Sequence, residues 1–185
     1  MEKKNKKMIL LSSLLLVLVL LPLTTYSAEG GKLGVGIRGG WYKSQDADQG
    51  KVYGGIQARW RVLPALSIEG LVDYRYEQSF PNNRKITSYP VLVSALFYPI
   101  PESKISPYLL AGAGWYYSKL EDRSGSTWTN DFGVHAGAGV DIPLSPMITF
   151  NADLRYYILD INDQKVSDLT TSGYLISAGL TFYMW

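Results

Sequence analysis

Cysteine is absent from this chain, and histidine occurs once, at His135. The first absence excludes a disulfide framework, thiol chemistry and any Cys-ligated metal site. The second confines imidazole chemistry to one position. Charge of one sign is also lacking: 18 Lys and Arg stand against 16 Asp and Glu, a formal net charge of +2. No basic excess draws the chain to nucleic acid. Beyond residue 28 a helical period is missing as well, and the spacing of apolar residues has to be read in another way.

The longest apolar run lies at the start. Lys3, Lys4, Lys6 and Lys7 precede Met8–Leu21, which holds only apolar residues and two serines. Pro22 breaks the run, and the small residues Thr25, Ser27 and Ala28 follow. Basic start, short apolar core and small-residue end are the order of a cleaved secretory signal. The run falls short of the ~20 residues that a spanning helix needs. The expected division is a signal peptide at 1–27, cut after Ser27 or one residue later, and a single domain at 28–185. Loss of four lysines and one glutamate leaves that domain slightly acidic.

Within the domain, apolar and polar residues alternate with period two, the signature of strands with one apolar face. Eight such segments can be marked by their apolar faces. The first carries Leu33, Val35, Ile37 and Trp41, and the second Val52, Ile56, Ala58 and Trp60. The third carries Leu66, Ile68, Val72, Tyr74 and Tyr76. The fourth, Tyr89 to Phe97, is blurred by Leu92 and Leu96 on its other side. The fifth shows Leu109, Ala111, Ala113, Trp115 and Tyr117, and the sixth Phe132, Val134, Ala136, Ala138, Val140 and Ile142. Ile148, Phe150, Ala152, Leu154 and Tyr156 mark the seventh, and Tyr174, Ile176, Ala178, Leu180, Phe182 and Met184 the last. Long polar links (43–50, 77–85, 120–129, 159–170) alternate with short proline-marked ones (62–65, 99–106, 143–146). That pattern predicts an all-β fold: an eight-stranded antiparallel up-and-down barrel, with long loops at one rim and short turns at the other.

Alternation does not say which face is outside. A soluble lipocalin-like barrel, the alternative reading, would turn the apolar face inward. Three features favour a transmembrane barrel. The apolar faces hold no charge, and Arg or Lys facing mid-bilayer costs ~2–4 kcal/mol. The opposite faces mix both signs in Arg38, Arg59, Arg61, Arg75, Arg155, Glu69, Asp73, Asp141 and Asp153, with His135 among them. Such groups can pair as an interior polar network. Aromatics gather at the strand ends: Trp41, Tyr76, Tyr89, Tyr117, Phe132, Tyr156 and Tyr174 towards the long-loop rim, and Trp60, Phe97, Phe150 and Phe182 towards the other. Two belts match the two water–lipid interfaces.

The segment Pro107-Tyr108-Leu109-Leu110-Ala111-Gly112-Ala113-Gly114-Trp115-Tyr116 resembles the PYxxxGxG-aromatic strand of small outer-membrane barrels of the OmpA/OmpX type. Tyr89–Tyr98 and Ala178–Tyr183 are similar to the same superfamily. The resemblance implies an integral protein of the Gram-negative outer membrane, embedded in its lipid. It also implies a terminal aromatic read by the barrel-assembly machinery. Trp185 fits as that signal, although it shares the parity of Tyr183 and not of Phe182 and Met184. Either the strand frays or bulges at its last residue, or Phe182 serves instead.

Signals for chemistry are weak. The His-x-Ser element in which lipid A deacylase and outer-membrane phospholipase barrels resemble one another is missing, since Gly137 stands two residues after His135. Asp46 and Asp48, or Asp160, Asp163 and Asp168, lack the spacing of a calcium loop. Gly34, Gly36, Gly39 and Gly40 lie within a strand and open no helix, so no nucleotide loop is formed. No cofactor or metal site is expected. The expected function is a non-enzymatic barrel with a structural or surface-interaction role. Trp128, Phe80 and Arg84 are candidates for a surface ligand on the long loops. A narrow channel for small or hydrophobic solutes and a lipid-modifying enzyme are the other readings.

Overall fold

The computed structural model describes residues 31–45, 47, 49–80, 84–101, 103–122, 125–160 and 172–184. They form one closed antiparallel barrel in which every strand pairs with its sequence neighbours and β1 pairs with β8. The strands are β1 (Lys32–Ser44), β2 (Lys51–Leu63), β3 (Leu66–Phe80), β4 (Arg84–Phe97), β5 (Ser106–Asp122), β6 (Gly125–Pro143), β7 (Ile148–Asp160) and β8 (Gly173–Tyr183). Closure leaves no sheet edge within the band that faces lipid, the condition for a sheet to lie in hydrocarbon.

The register carries the sequence alternation around the wall. Ile37 stands opposite Ile56 on one side and Leu180 on the other, all facing outward. Ala111 lies between Ala95 and Ala136. The exposed side chains include Val35, Ile37, Ile56, Val93, Leu109, Val134, Leu154 and Ile176, while Arg59, Glu69 and Thr181 on the alternate positions are wholly buried. This is the inverted arrangement of a membrane barrel. On β6, Phe132–Ile142 separates the two aromatic levels. At about 3.4 Å per residue and a tilt near 40°, that stretch is roughly 25 Å tall, the height of an outer-membrane apolar band.

Short turns close the lower rim. Between β6 and β7 the Ser145 hydroxyl accepts from the backbone N–H of Ile148 at 3.1 Å, and Leu144 N–H donates to the Ile148 carbonyl at 2.8 Å. Further bonds tie these turns to their neighbours: Tyr98 N–H, just past β4, donates to the Ala65 carbonyl at 2.9 Å, and Tyr183 N–H, at the end of β8, to that of Met147 at 2.8 Å.

The upper rim corrects one expectation. Within the segments read as long loops, residues 77–80, 84–85, 120–122 and 125–129 are strand. β3 pairs with β4 up to Phe80 opposite Arg84, and β5 with β6 up to Asp122 opposite Gly125. Trp128 therefore sits in β6 opposite Lys119, and Phe80 and Arg84 close a ladder. The reason is physical: above the lipid both sheet faces meet water, so a strand there needs no apolar alternation to be stable. Among the described residues, these four strands thus rise past the other four. A register shift on β3 between Arg75 and Gln78 marks where they leave the shared wall. The Tyr42 hydroxyl donates to the Tyr76 carbonyl at that bulge.

Candidate functional site

The barrel interior is the place where the chain concentrates its polar chemistry. It is built by the inward positions of every strand, and it is layered. In the middle layer Arg59 on β2 donates from Nε to Glu69 Oε2 at 2.6 Å and from Nη1 to Asp141 Oδ1 at 2.7 Å. Glu69 turns its second oxygen to Arg155 Nη2 at 2.8 Å, and Arg155 grips Asp153 at 2.7 and 2.9 Å. One chain of ion pairs, Asp141–Arg59–Glu69–Arg155–Asp153, therefore crosses the lumen from β6 through β2 and β3 to β7. Arg38 lies 3.7 Å from both Asp73 and Asp153 and donates to Tyr53 Oη at 2.8 Å and Ser177 Oγ at 2.9 Å. Arg61, at the lower rim, stands 4.0 Å from Asp141, and its side chain is one-fifth exposed. Charges of this kind tolerate burial only when paired and hydrogen-bonded.

Apolar and aromatic layers lie above and below. Above, Arg75 is enclosed by the rings of Tyr157, Tyr116 and Tyr42 at 4.7, 5.2 and 5.3 Å. Leu71, Leu92, Tyr53 and Leu175 fill the same level. Cation–π contact holds Arg75 here, with the Asp73 carboxylate two residues along the same inward face of β3. Below, Leu96, Tyr98, Tyr108 and Leu110 pack together. Their hydroxyls reach up into the ionic layer: Tyr98 donates to Asp141 at 2.8 Å and Tyr108 to Asp153 at 3.2 Å. Gln57, Asn151 and Thr181 form a separate amide–hydroxyl cluster.

Inward glycines make room for these layers. A Cβ on Gly40 would fall 1.9 Å from the Ile176 carbonyl, and one on Gly139 2.5 Å from the Tyr108 ring. Outward Gly70 has open space.

The residues expected inside are thus brought together on the inward positions, Arg61 at the edge. The expected belt residues all take outward positions. Sequence reading missed the tyrosine and leucine layers, because those residues share faces with arginines and glycines and suggest no layer by themselves. It also missed Ser94, whose Oγ lies 2.8 Å from His135 Nε2. A hydroxyl beside an imidazole can be a nucleophile with its base. Here both are buried in the lumen, and His135 Nδ1 finds no acceptor among the described residues that would orient it. Asp46, Asp48, Asp163, Asp168 and Trp185 lie outside the described residues; Asp160 ends β7 opposite Phe132.

On the outer wall, Trp41 packs on Tyr174 at 5.6 Å, Trp115 on Phe132 at 5.6 Å, and Tyr74 on Tyr76 and Tyr89 at 4.9 and 5.2 Å.

A closed barrel with an aliphatic exterior, aromatic rings at two levels and a buried ionic interior defines an integral membrane protein of the outer-membrane class. The model of the outer membrane protein beta-barrel domain matches residues 12–182, and the chain belongs to that family. Solved structures of small outer-membrane barrels share the fold. Neisserial surface protein A is 17% identical with a TM-score of 0.61, over 82% of this chain and 95% of that one. The N-terminal barrel domain of Pseudomonas aeruginosa OprF is 10% identical with a TM-score of 0.62, over 83% and 99%. Ail, the attachment invasion locus protein of Yersinia pestis, is 17% identical with a TM-score of 0.54, over 85% and 100%. The search of curated proteins by sequence found no significant match.

Proposed function

We propose that this protein is a non-enzymatic wall and anchor of the outer membrane, with a solid interior and a long-strand rim that meets the surroundings. The observation that carries the reading is the ion-pair chain across the lumen between two tyrosine–leucine layers. Arg59, Leu96, Tyr98 and Tyr108 expose 1% of their surface or less. A water-filled passage through these levels would leave their atoms accessible. Eight strands enclose only enough space for side chains or one small ligand. The Ser94–His135 pair supports no lipid-modifying reading, since an acyl chain at the outer wall cannot reach it.

The reading includes three steps of biogenesis and contact. Residues 1–27 act as a signal peptide removed after Ser27 or Ala28. The barrel-assembly machinery recognises the terminal aromatic segment, with outward Phe182 or Trp185 as its contact. A surface ligand meets the extended β3–β6 rim, where Trp128 stands. Planar-bilayer recording tests the main claim: the wild-type chain should give no steady single-channel steps. Regular conductance from wild-type protein would establish the narrow-channel alternative.

A further inference from the structure

Three phenols stand in ring contact on the outward face of β3 and β4. Tyr76 meets Tyr74 at 4.9 Å between centroids and 67°, and Tyr74 meets Tyr89 at 5.2 Å and 42°. The pairs Val72–Val91 and Arg75–Ser88 bracket Tyr74 and Tyr89, which makes these two cross-strand neighbours; the Cβ atoms of such neighbours lie about 5 Å apart. Relative exposures of 40% for Tyr74, 51% for Tyr76 and 39% for Tyr89 leave every ring open at the long-loop belt, where hydrocarbon gives way to water. The strand is pinned at this point, because the Tyr42 hydroxyl donates to the Tyr76 carbonyl. Among the described residues, the other tyrosine pairs in ring contact are Tyr42–Tyr53, Tyr98–Tyr108 and Tyr116–Tyr157. All six of those residues are buried inside the wall.

We infer that the row Tyr76–Tyr74–Tyr89 is an oxidative modification site, which takes up lipid peroxyl radicals and closes as a carbon–carbon crosslink between Tyr74 and Tyr89. A phenol gives its hydrogen atom to the peroxyl radical: the O–H bond breaks, a hydroperoxide forms and a phenoxyl radical stays on the tyrosine. A second peroxyl radical does the same at another ring of the row. Hydrogen exchange between like phenols is close to thermoneutral, so a radical that enters at Tyr76 can pass to Tyr74. Two phenoxyl radicals then couple through the ring carbons next to the C–O bond, and each of those carbons returns its hydrogen to its own phenol oxygen. Two tyrosines and two peroxyl radicals thus become one dityrosine and two hydroperoxides, with no further oxidant. Hydrogen-atom transfer needs contact, which confines the reaction to the outward face and spares the interior pairs. The new bond joins ring edges, so the tilted pair Tyr74–Tyr89 suits it better than the edge-to-face pair Tyr74–Tyr76. Position names lipid as the source, because Val72, Val91 and Val93 carry the same face down into hydrocarbon. The inference does not depend on whether the lumen conducts.

The test uses the full chain in vesicles of saturated phosphatidylcholine, which do not compete for radicals. A lipid-soluble azo initiator in air supplies peroxyl radicals within the bilayer. Dityrosine fluorescence reads the reaction, and tryptic mass spectrometry of the unfolded product maps it. Trypsin cuts after Arg75, which separates Tyr74 from Tyr76, and after Lys85, which places Tyr89 in a third peptide. Wild type should join the peptide of Tyr74 to that of Tyr89 within one chain, with the loss of two hydrogens. Tyr74→Phe keeps the ring and should lose the signal. Tyr174→Phe should keep it: Tyr174 faces Tyr156 across β7 and β8, but its ring leans on Trp41. Heat-modifiable migration checks that both variants are folded, and the peptide map of wild type decides alone if Tyr74→Phe is not. A water-soluble initiator at the same radical flux should give less product. No dityrosine in wild type, an undiminished signal in Tyr74→Phe, a crosslink placed mainly at Tyr156–Tyr174 or between chains, or a higher yield from the water-soluble initiator would overturn the inference.

Discussion

Arg59 illustrates how much one interior side chain controls. It is completely buried and serves two carboxylates at once, Glu69 and Asp141. Arg59→Ala would strip each carboxylate of its shortest ion pair, leaving Glu69 to Arg155 alone and Asp141 to Arg61 at 4.0 Å, and breaking a buried pair in this way costs about 3–5 kcal/mol. Urea unfolding in detergent micelles should show that loss. Replacing Lys32, at the lower mouth, should leave the midpoint within error. A second contrast lies in the glycines. Gly40→Ala would drive a methyl into the β8 backbone, at a cost of about 1–3 kcal/mol or more, whereas Gly70→Ala meets nothing within 4 Å. The same unfolding assay should find Gly70→Ala near neutral, and equal losses at both sites would refute the packing account.

At the level of strands, period-two alternation was a sufficient guide wherever one face meets lipid. There the sequence must separate apolar from polar residues at every step, so Ile37, Ile56 and Val134 reveal the outward side unaided. The signal fades in two places for different reasons. Inside the barrel, Leu92, Leu96 and Leu110 share inward positions with Ser94 and His135, which blurs the fourth strand. They serve as plugs in a lumen that needs volume as well as charge balance. Above the lipid, Thr127–Asn130 follow no alternation because water lies on both sides, and the ladder continues on backbone pairing alone. The outward assignment is testable on β6. Ala136→Arg should destabilise the barrel by ~2–4 kcal/mol in vesicles. The same change at Ser126, outward on the same strand but above the band, should be tolerated. If the two behaved alike, Ala136 would not face hydrocarbon.

For the molecule as a whole, architecture was more legible than the interior chemistry. The counts of strands and the alternation of long and short links led directly to a closed meander. Which arginine meets which acid depends on shear and side-chain reach, and no linear spacing encodes it. The Glu69–Arg155 pair, for instance, joins residues on β3 and β7, strands on opposite sides of the barrel. Folded and unfolded forms should migrate differently on a gel before and after boiling, and membrane fractionation should place the protein in the outer membrane. Recovery in the soluble periplasm without detergent would contradict the barrel's outward aliphatic face.

The seam between β1 and β8 has a kinetic consequence. Val35 pairs with Phe182 and Trp41 with Ile176, so the bonds that complete the cylinder join the first and last strands to be synthesised. Every other ladder links neighbours in the chain and is cheap in loop entropy; this one is the most distant contact the topology allows, and such contacts slow folding. Until the final strand arrives, β1 and β7 present unpaired backbone that hydrocarbon will not accept. Insertion therefore has to wait for β8, and a chain truncated before Gly173 should remain with periplasmic chaperones and never enter the bilayer.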